Sequence, residues 1–107
     1  MARPVGSKGS QYLYLTTTGR GTGRPREIEI WFTQRRGRYD LIAEHRERAH
    51  WVQNLKVAPR VAVRVGRRAF SAVDAKAEPE LTRAAKELSE KKYGWGDGLV
   101  VELDPAR

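Results

Sequence analysis

The chain has 107 residues, of which 39% are hydrophobic and 32% are charged, a balance typical of one small globular domain. The absence of cysteine excludes disulfides, thiolate nucleophiles and cysteine zinc sites, and the two histidines do not supply a metal site unaided. The formal net charge of +8 predicts an anionic partner, and charge alone leaves nucleic acid, a membrane surface, a phosphorylated cofactor and an acidic metabolite open.

The beginning of the chain carries no targeting pattern. Residues 1–10 lack the apolar core of a signal peptide, and no apolar run reaches the roughly 18 residues that span a bilayer. We therefore expect a cytoplasmic protein without a transmembrane segment. We also expect residues 1–10 to be flexible and residues 11–107 to form a single domain.

Hydrophobic periodicity predicts a mainly β fold with two α-helices. Strands are predicted at residues 12–16, 27–33, 39–43, 61–65, 68–73 and 99–103. Helices are predicted from Glu47 to just before Pro59, and from Pro79 to just before Gly94. Because the helices separate hairpins and no βαβ unit repeats, we expect about six antiparallel strands that close into a barrel.

The composition of residues 16–26 makes this stretch unsuited to a hydrophobic core. It contains three glycines, three arginines and four threonines between two predicted strands. Glycine allows positive φ and close approach of a ligand, while exposed amides and guanidinium groups favour an anion. The sequence therefore predicts an anion-binding loop, with an ordinary hairpin connection carrying solvated arginines as the alternative.

Four motifs in a fixed order resemble the deazaflavin-dependent nitroreductase family. They are LTTTGR at residues 15–20, TGRPR at residues 22–26, WVQNL at residues 51–55 and APRVAV at residues 58–63. The resemblance covers roughly residues 15–72 and implies the FMN-binding-like split β-barrel fold. It also implies an oxidoreductase that transfers hydride from reduced coenzyme F-420, an 8-hydroxy-5-deazaflavin, to a quinone, a nitroaromatic or a similar unsaturated acceptor, and a homodimer.

The resemblance implies a coenzyme site, position by position. The phosphate and acidic tail are implied to lie against Arg20, Thr22, Gly23 and Arg26. The deazaflavin ring and its surroundings are implied to involve Glu29, Ile30, Trp31, Ala43, Glu44, His45, Trp51 and Asn54. The sequence departs from the family pattern at Gly21, where lysine is common. No catalytic residue and no metal site is assigned.

Other functions remain open at this point. Members of the wider fold bind FMN, so an FMN-binding protein or a coenzyme carrier without turnover is one alternative. A nucleic-acid-binding barrel is a second alternative, because aromatic and basic residues alternate on the predicted strands. Its stacking residues would be Tyr12, Tyr14, Trp31 and Tyr39. We nevertheless expect a small-molecule acceptor and no nucleic acid.

Single residues also carry alternatives. Trp51 at helical spacing with Val52 and Leu55 is as typical of core packing as of a ligand contact. Asn54 taken alone indicates a helix surface or a cap. His45 and His50 are candidate proton donors because histidine titrates near neutrality. Residues 93–96 form either a glycine-hinged lid over the acceptor or a helix stop followed by an aromatic core plug.

Overall fold

The computed structural model describes residues 12–75 and 79–105, without the side chains of residues 79–81. The predicted flexible segment at residues 1–10 lies outside this part of the chain. The strands are β1 (Tyr12–Thr18), β2 (Pro25–Trp31), β3 (Thr33–Arg35), β4 (Arg38–Ala43), β5 (Arg60–Val65), β6 (Arg68–Asp74) and β7 (Leu99–Pro105). The helices are a 3-10 turn (Arg46–Arg48), α1 (His50–Val57) and α2 (Pro79–Tyr93).

All described strands belong to one antiparallel sheet with the order β2-β1-β5-β6-β7-β4-β3. The two edge strands, β2 and β3, are consecutive in the chain and are separated only by Phe32. One residue spans only about 3.5 Å, so the two edges of the sheet must meet at Phe32. The sheet therefore curls upon itself, as the predicted barrel requires.

The core lies inside the curl because the strands alternate between apolar and polar residues. Leu13 and Leu15 of β1 and Val63 of β5 point inward and are buried, while their neighbours in sequence are more exposed. Val52 and Leu55 of α1 pack on the same cluster. Full burial of each such side chain contributes about 1.5–3 kcal/mol, so the inward stripes hold the curled sheet together.

The predicted strand at residues 27–33 is wrong at its end, which is why the sheet has one strand more than the expected six. Phe32 is buried in the core, but its backbone takes no part in a strand ladder. The Phe32 N–H donates to the Tyr93 hydroxyl at 3.0 Å, and the Phe32 carbonyl accepts from that hydroxyl at 2.7 Å and from Lys92 Nζ at 2.9 Å. The end of α2 thus supplies hydrogen-bond partners for the backbone of Phe32, the residue between β2 and β3.

The predicted start of the first helix at Glu47 is also wrong. The chain forms a 3-10 turn there, and Ala49 is extended with φ −60° and ψ 134°, so α1 begins only at His50. Ala49 is half-buried against the core, which favours this interruption over a continuous helix. Trp51, Val52 and Leu55 lie together on α1 as predicted.

Helix α2 packs on the outer face of the sheet. Ala85 of α2 forms a second apolar cluster with Ile42 and Val100, and Trp95 packs against it. Gly98 has φ +154°, and a Cβ atom there would lie 2.5 Å from the Ala43 carbonyl oxygen, so only glycine fits. The segment after α2 is therefore held against the end of β4.

Within the described residues, neither helix combines the length and the apolar character that crossing a bilayer would need.

Candidate functional site

Two adjoining clefts open on the surface near β2, β4 and α1. The apolar cleft has a volume of about 580 Å³ and is lined mainly by aliphatic and aromatic residues, among them Ile30, Trp31 and Trp95. The loop cleft has a volume of about 770 Å³ and is lined mainly by the β1–β2 connection and α1. Ile28 and Trp51 line both clefts, so the two spaces meet there.

The glycine loop, residues 19–24, joins β1 to β2 and is closed by its own backbone. The Gly19 N–H donates to the Arg24 carbonyl at 2.7 Å, and the Gly23 N–H donates to the Gly19 carbonyl at 2.7 Å. Gly23 has φ +73°, a conformation that favours glycine. The amides of Gly21 and Thr22 donate to no acceptor among the described residues, and both residues line the loop cleft. These two amides are available to an anion.

Arg20 is tied to α1 rather than solvated. Its backbone N–H and its Nη1 both donate to Asn54 Oδ1, at 3.2 and 2.9 Å, and its Nη2 lies 3.2 Å from His50 Nδ1. Because arginine only donates, His50 Nδ1 is the acceptor in this contact. The reading of the loop as a plain hairpin connection with solvated arginines therefore does not describe Arg20.

Asn54 occupies the centre of this network and is only 3% exposed. Its Nδ2 donates to the hydroxyl of Thr17 at 3.0 Å, while its Oδ1 serves Arg20. The interpretation of Asn54 as a helix surface or cap residue is therefore wrong. Its amide joins β1, the glycine loop and α1.

The loop cleft has a positive balance. Arg26 lines it and forms no ion pair with any described residue, whereas the acidic Glu27 is engaged by Arg64 at 3.5 Å. His50 and Trp51 at the start of α1 also line this cleft. The unpaired N–H groups of a helix N-terminus favour negative charge, so the helix adds to the effect of the arginines.

The apolar cleft has an aromatic wall built from distant parts of the chain. Trp31 of β2 stacks on Tyr93 with a centroid distance of 4.4 Å and an interplanar angle of 4°, and meets Trp95 edge-on at 6.3 Å. Burial raises the pKa of Tyr93 to about 12, which keeps its hydroxyl protonated although the hydrogen bond with Phe32 opposes the shift. Tyr93 and Trp95 are thus packed parts of the wall, which favours the plug over a hinged lid.

The alternative of a nucleic-acid platform finds little support in this geometry. Tyr39 is buried in the core, and Trp31 is stacked under Tyr93. The hydroxyl of Tyr14 donates to Glu29 at 2.7 Å, and the guanidinium of Arg64 lies 4.2 Å from the centroid of its ring. Tyr39 is therefore withdrawn from solvent, Tyr14 and Trp31 each have a ring face covered, and an acidic group lies beside Tyr14.

A family model matches most of the chain. Residues 4–95 match the model described as F420H(2)-dependent quinone reductase. The chain belongs to this family. It is accordingly an oxidoreductase that depends on F-420, as the resemblance of its motifs implies. No curated protein matches the chain.

Solved structures of family members and of others share the fold. An F420-H2-dependent reductase, FDR-A, is 20% identical, with 88% of this chain and 94% of that chain covered and a TM-score of 0.73. The heme storage protein HutZ from Vibrio cholerae is 21% identical over 91% of this chain and 82% of that chain, with a TM-score of 0.72. An F420 reductase is 17% identical over 91% and 87%, with a TM-score of 0.68. These likenesses confirm the split β-barrel.

The quinone reductase brings nearly all of the implied site residues to the two clefts. The loop cleft is lined by Arg20, Thr22, Arg26, Trp51 and Asn54. The apolar cleft is lined by Glu29, Ile30, Trp31, Ala43, Glu44, His45 and Trp51. Gly23 lines neither cleft and instead closes the glycine loop. Whether these residues bind the coenzyme remains a prediction.

The residues present fit F-420. An apolar cleft with an aromatic wall suits a flat deazaflavin ring, and free amides with arginines suit a phosphodiester and a polyglutamate tail. Trp51 combines the two roles that the sequence left open, because it packs on the core and also lines both clefts, where a ligand can reach it.

The residues implied for the coenzyme site did not include Thr17, Ile28 or Trp95, although residues 16–26 and 93–96 were each considered for a role in binding. Thr17 continues the inward stripe of Leu13 and Leu15, so its burial was visible in the alternation, but its bond to Asn54 was not. Ile28 borders both clefts, and Trp95 belongs to the apolar cleft. Nothing in the sequence pattern indicates that these last two share a cleft.

Proposed function

We propose that this quinone reductase binds F-420 across the joined clefts, with the ring in the apolar cleft and the phosphate and acidic tail in the loop cleft. The observation that carries the proposal is the junction at Ile28 and Trp51, because it gives one ligand access to an aromatic surface and to free N–H donors together. A flavin or haem shares the need for an apolar cleft, but the family match favours the deazaflavin.

When bound, the reduced coenzyme supplies a hydride, and a quinone that accepts it also takes up one proton to become a hydroquinone. The chain's own part is to orient and to shield the reacting rings. Trp31 and Trp95 present flat apolar surface on which a quinone ring can stack, and the packed Tyr93 holds Trp31 in place.

The proton comes either from water or from a side chain at the cleft. His45 is exposed and lines the apolar cleft, which makes it the side-chain candidate. Substitution His45→Gln tests the choice: an unchanged turnover number and an unchanged pH profile assign the proton to water, whereas a turnover lowered about a hundredfold assigns it to His45.

Coenzyme binding is tested by titrating the purified protein with F-420 and following quenching of tryptophan fluorescence. We expect micromolar binding that is weakened at least tenfold in the double variant Arg20→Ala/Arg26→Ala. The double variant Arg67→Ala/Arg83→Ala removes the same charge at exposed positions outside both clefts and should bind as the wild type does. Binding of FMN without binding of F-420 contradicts the proposal.

Turnover separates the enzyme from a coenzyme carrier. We expect steady oxidation of reduced F-420 with menadione as acceptor, and we propose a quinone in preference to a nitroaromatic because the family is defined by quinone reduction. Tight binding with no oxidation by either acceptor would identify a carrier.

We also propose that the protein is a cytoplasmic homodimer whose residues 11–107 fold as one domain. The single sheet supports one domain, and Val57, which is 66% exposed at the end of α1, offers apolar surface to a partner. Analytical ultracentrifugation at micromolar concentration tests the dimer, a single unfolding transition tests the one domain, and cell fractionation tests the location.

A further inference from the structure

We propose that Asn54 is a positioning residue that acts on the coenzyme through Arg20: it holds the glycine loop and the Arg20 guanidinium in the orientation that presents free N–H donors to the anionic part of the ligand. The inference rests on the proposed function. It replaces the direct coenzyme contact that the resemblance implies for this asparagine.

The amide of Asn54 uses three of its four hydrogen-bonding positions within the protein. Both lone pairs of its Oδ1 are used by Arg20, through the backbone N–H at 3.2 Å and Nη1 at 2.9 Å. Its Nδ2 donates to Thr17 at 3.0 Å, and both Asn54 and Thr17 are buried. A ligand that bound Oδ1 would have to displace one of these bonds, and the second N–H of Nδ2 belongs to a side chain that is only 3% exposed.

The same bonds are what ties the glycine loop to α1. Gly19 and Gly23 close the base of the loop internally at 2.7 Å, and they make no bond to the helix. Among the described residues, hydrogen bonds from the loop to α1 come only from Arg20, to Asn54 and to His50. Removing the Asn54 side chain therefore leaves Arg20 with His50 alone.

Holding Arg20 in advance strengthens anion binding. The guanidinium has five N–H groups, and the two bonds to Asn54 and His50 leave the others for the cleft, next to the free amides of Gly21 and Thr22. An arginine that is already ordered loses less side-chain freedom when the ligand binds. Loss of this ordering is expected to weaken binding about tenfold.

A double-mutant cycle tests the route of action. Dissociation constants for F-420 are measured by fluorescence quenching for wild type, Asn54→Ala, Arg20→Ala and the double variant. We expect each single variant to bind about tenfold more weakly and the double variant to lose clearly less than the product of the two losses, because Arg20→Ala removes the guanidinium bond to Asn54 and keeps the backbone bond. Losses that multiply in the double variant overturn the inference, because Asn54 then contacts the ligand independently of Arg20.

A matched control and a milder variant keep the cycle interpretable. Gln53→Ala changes the neighbouring side chain of α1, which bonds to the carbonyls of Glu47 and Arg48 and lines neither cleft, so its dissociation constant should equal that of wild type. If Asn54→Ala does not fold, Thr17→Val removes the acceptor that orients the amide, and the same cycle is run with Arg20→Ala.

Amide hydrogen exchange of the free protein gives a readout that needs no coenzyme. We expect Asn54→Ala to accelerate exchange at the Arg20 amide, with a smaller change at the Gly23 amide, whose acceptor lies inside the loop. Equal exchange at Arg20 in wild type and variant overturns the positioning role. Failure of wild type to bind F-420 would instead contradict the proposed function, while the exchange result stands.

Discussion

At the scale of single residues, Gly21 sits at the tip of the glycine loop with room around it. A Cβ atom built there meets nothing within 4 Å, and its φ is not among the positive values found at Gly23 and Gly37. The position is therefore open to a side chain without strain. Its neighbours on the loop cleft are the arginines and the free amides that are expected to meet the anion.

We predict that Gly21→Lys tightens F-420 binding about threefold to tenfold, because a cation is added at the cleft without a steric cost. Titration by fluorescence quenching at low ionic strength measures the change. The matched variant Gly21→Ala tests the backbone effect alone and should bind as wild type does. Weaker binding of the lysine variant would contradict an anion in the loop cleft.

Asp40 is a buried acidic residue whose surroundings disfavour the charged form of its carboxyl group. It is 2% exposed, its carboxylate oxygens accept no hydrogen bond from the described residues, and Arg35 Nη2 lies 3.8 Å away. Burial, followed by the charge of Glu102 opposite it in the β4–β7 register, raises the pKa of Asp40 from 3.8 to about 6, against the opposing influence of Arg35 and Arg38.

This shift predicts that the free energy of unfolding falls with rising pH. The native state binds the Asp40 proton more tightly than the unfolded state, so stability is lost as pH rises from about 4 to about 6 and stays lower above that range. The difference in pKa corresponds to about 3 kcal/mol, which is the upper limit for the gain on substitution Asp40→Asn at pH 8.

Thermal melts between pH 4 and pH 8 measure the effect for wild type and Asp40→Asn. We expect a higher melting temperature of the variant at pH 8 and a flatter pH profile. Asp97→Asn is the control, because Asp97 is largely exposed in its pair with Arg46 and should change stability little. Equal slopes for wild type and Asp40→Asn would show that Asp40 does not titrate in this range.

At the scale of elements, the end of α2 forms hydrogen bonds with Phe32, the residue that separates β2 from β3. The Tyr93 hydroxyl both accepts from and donates to the Phe32 backbone, and Lys92 Nζ donates to the same carbonyl. Burial lowers the pKa of Lys92, while its ammonium group lies 4.0 Å from the centroid of the Phe32 ring. The helix thus supports both the closure of the sheet and the aromatic wall.

We predict that Tyr93→Phe lowers the free energy of unfolding by about 1–3 kcal/mol, because it leaves the Phe32 N–H without its acceptor. Urea unfolding followed by circular dichroism measures the loss. Tyr14→Phe removes a hydroxyl that bonds to Glu29 on the exposed face, and it should cost much less. Equal losses of unfolding free energy in the two variants would contradict the stabilising role of the Tyr93–Phe32 hydrogen bonds.

At the scale of the whole molecule, several arginines are engaged in ion pairs, while the excess of basic residues leaves a net charge of +8. Arg38 pairs with Glu102 and Asp104, and similar pairs link other strands and loops. Arg26, at the loop cleft, has no ion pair among the described residues. The loop cleft therefore offers an arginine that is available to an anion.

We predict a modest salt dependence for F-420 affinity, about tenfold or less between 50 and 200 mM salt. A protein that neutralises six to ten nucleic-acid phosphates loses about a thousandfold or more over that range. Titrations at both salt concentrations, with single-stranded RNA in parallel, make the comparison. Tight RNA binding with a steep salt dependence would favour the nucleic-acid alternative.

The sequence by itself determined the features that depend on neighbours along the chain. Hydrophobic periodicity indicated the strands and the two helices, the glycine and arginine content of residues 16–26 indicated an anion-binding loop, and the order of four motifs indicated the family that the match then showed. These signals are local because strand and helix periods are properties of consecutive residues.

Only the tertiary structure decided the features that join distant residues. Asn54 bonds to Thr17 and Arg20, and Phe32 bonds to Lys92 and Tyr93, across separations of 34 to 61 residues. Such partners are selected by the curl of the sheet, which brings its two edges and α2 together and leaves no periodic trace in the sequence. The loop was predictable from its glycines and arginines, and its anion binding stays a prediction, but the side chain that holds the loop to α1 was not predictable.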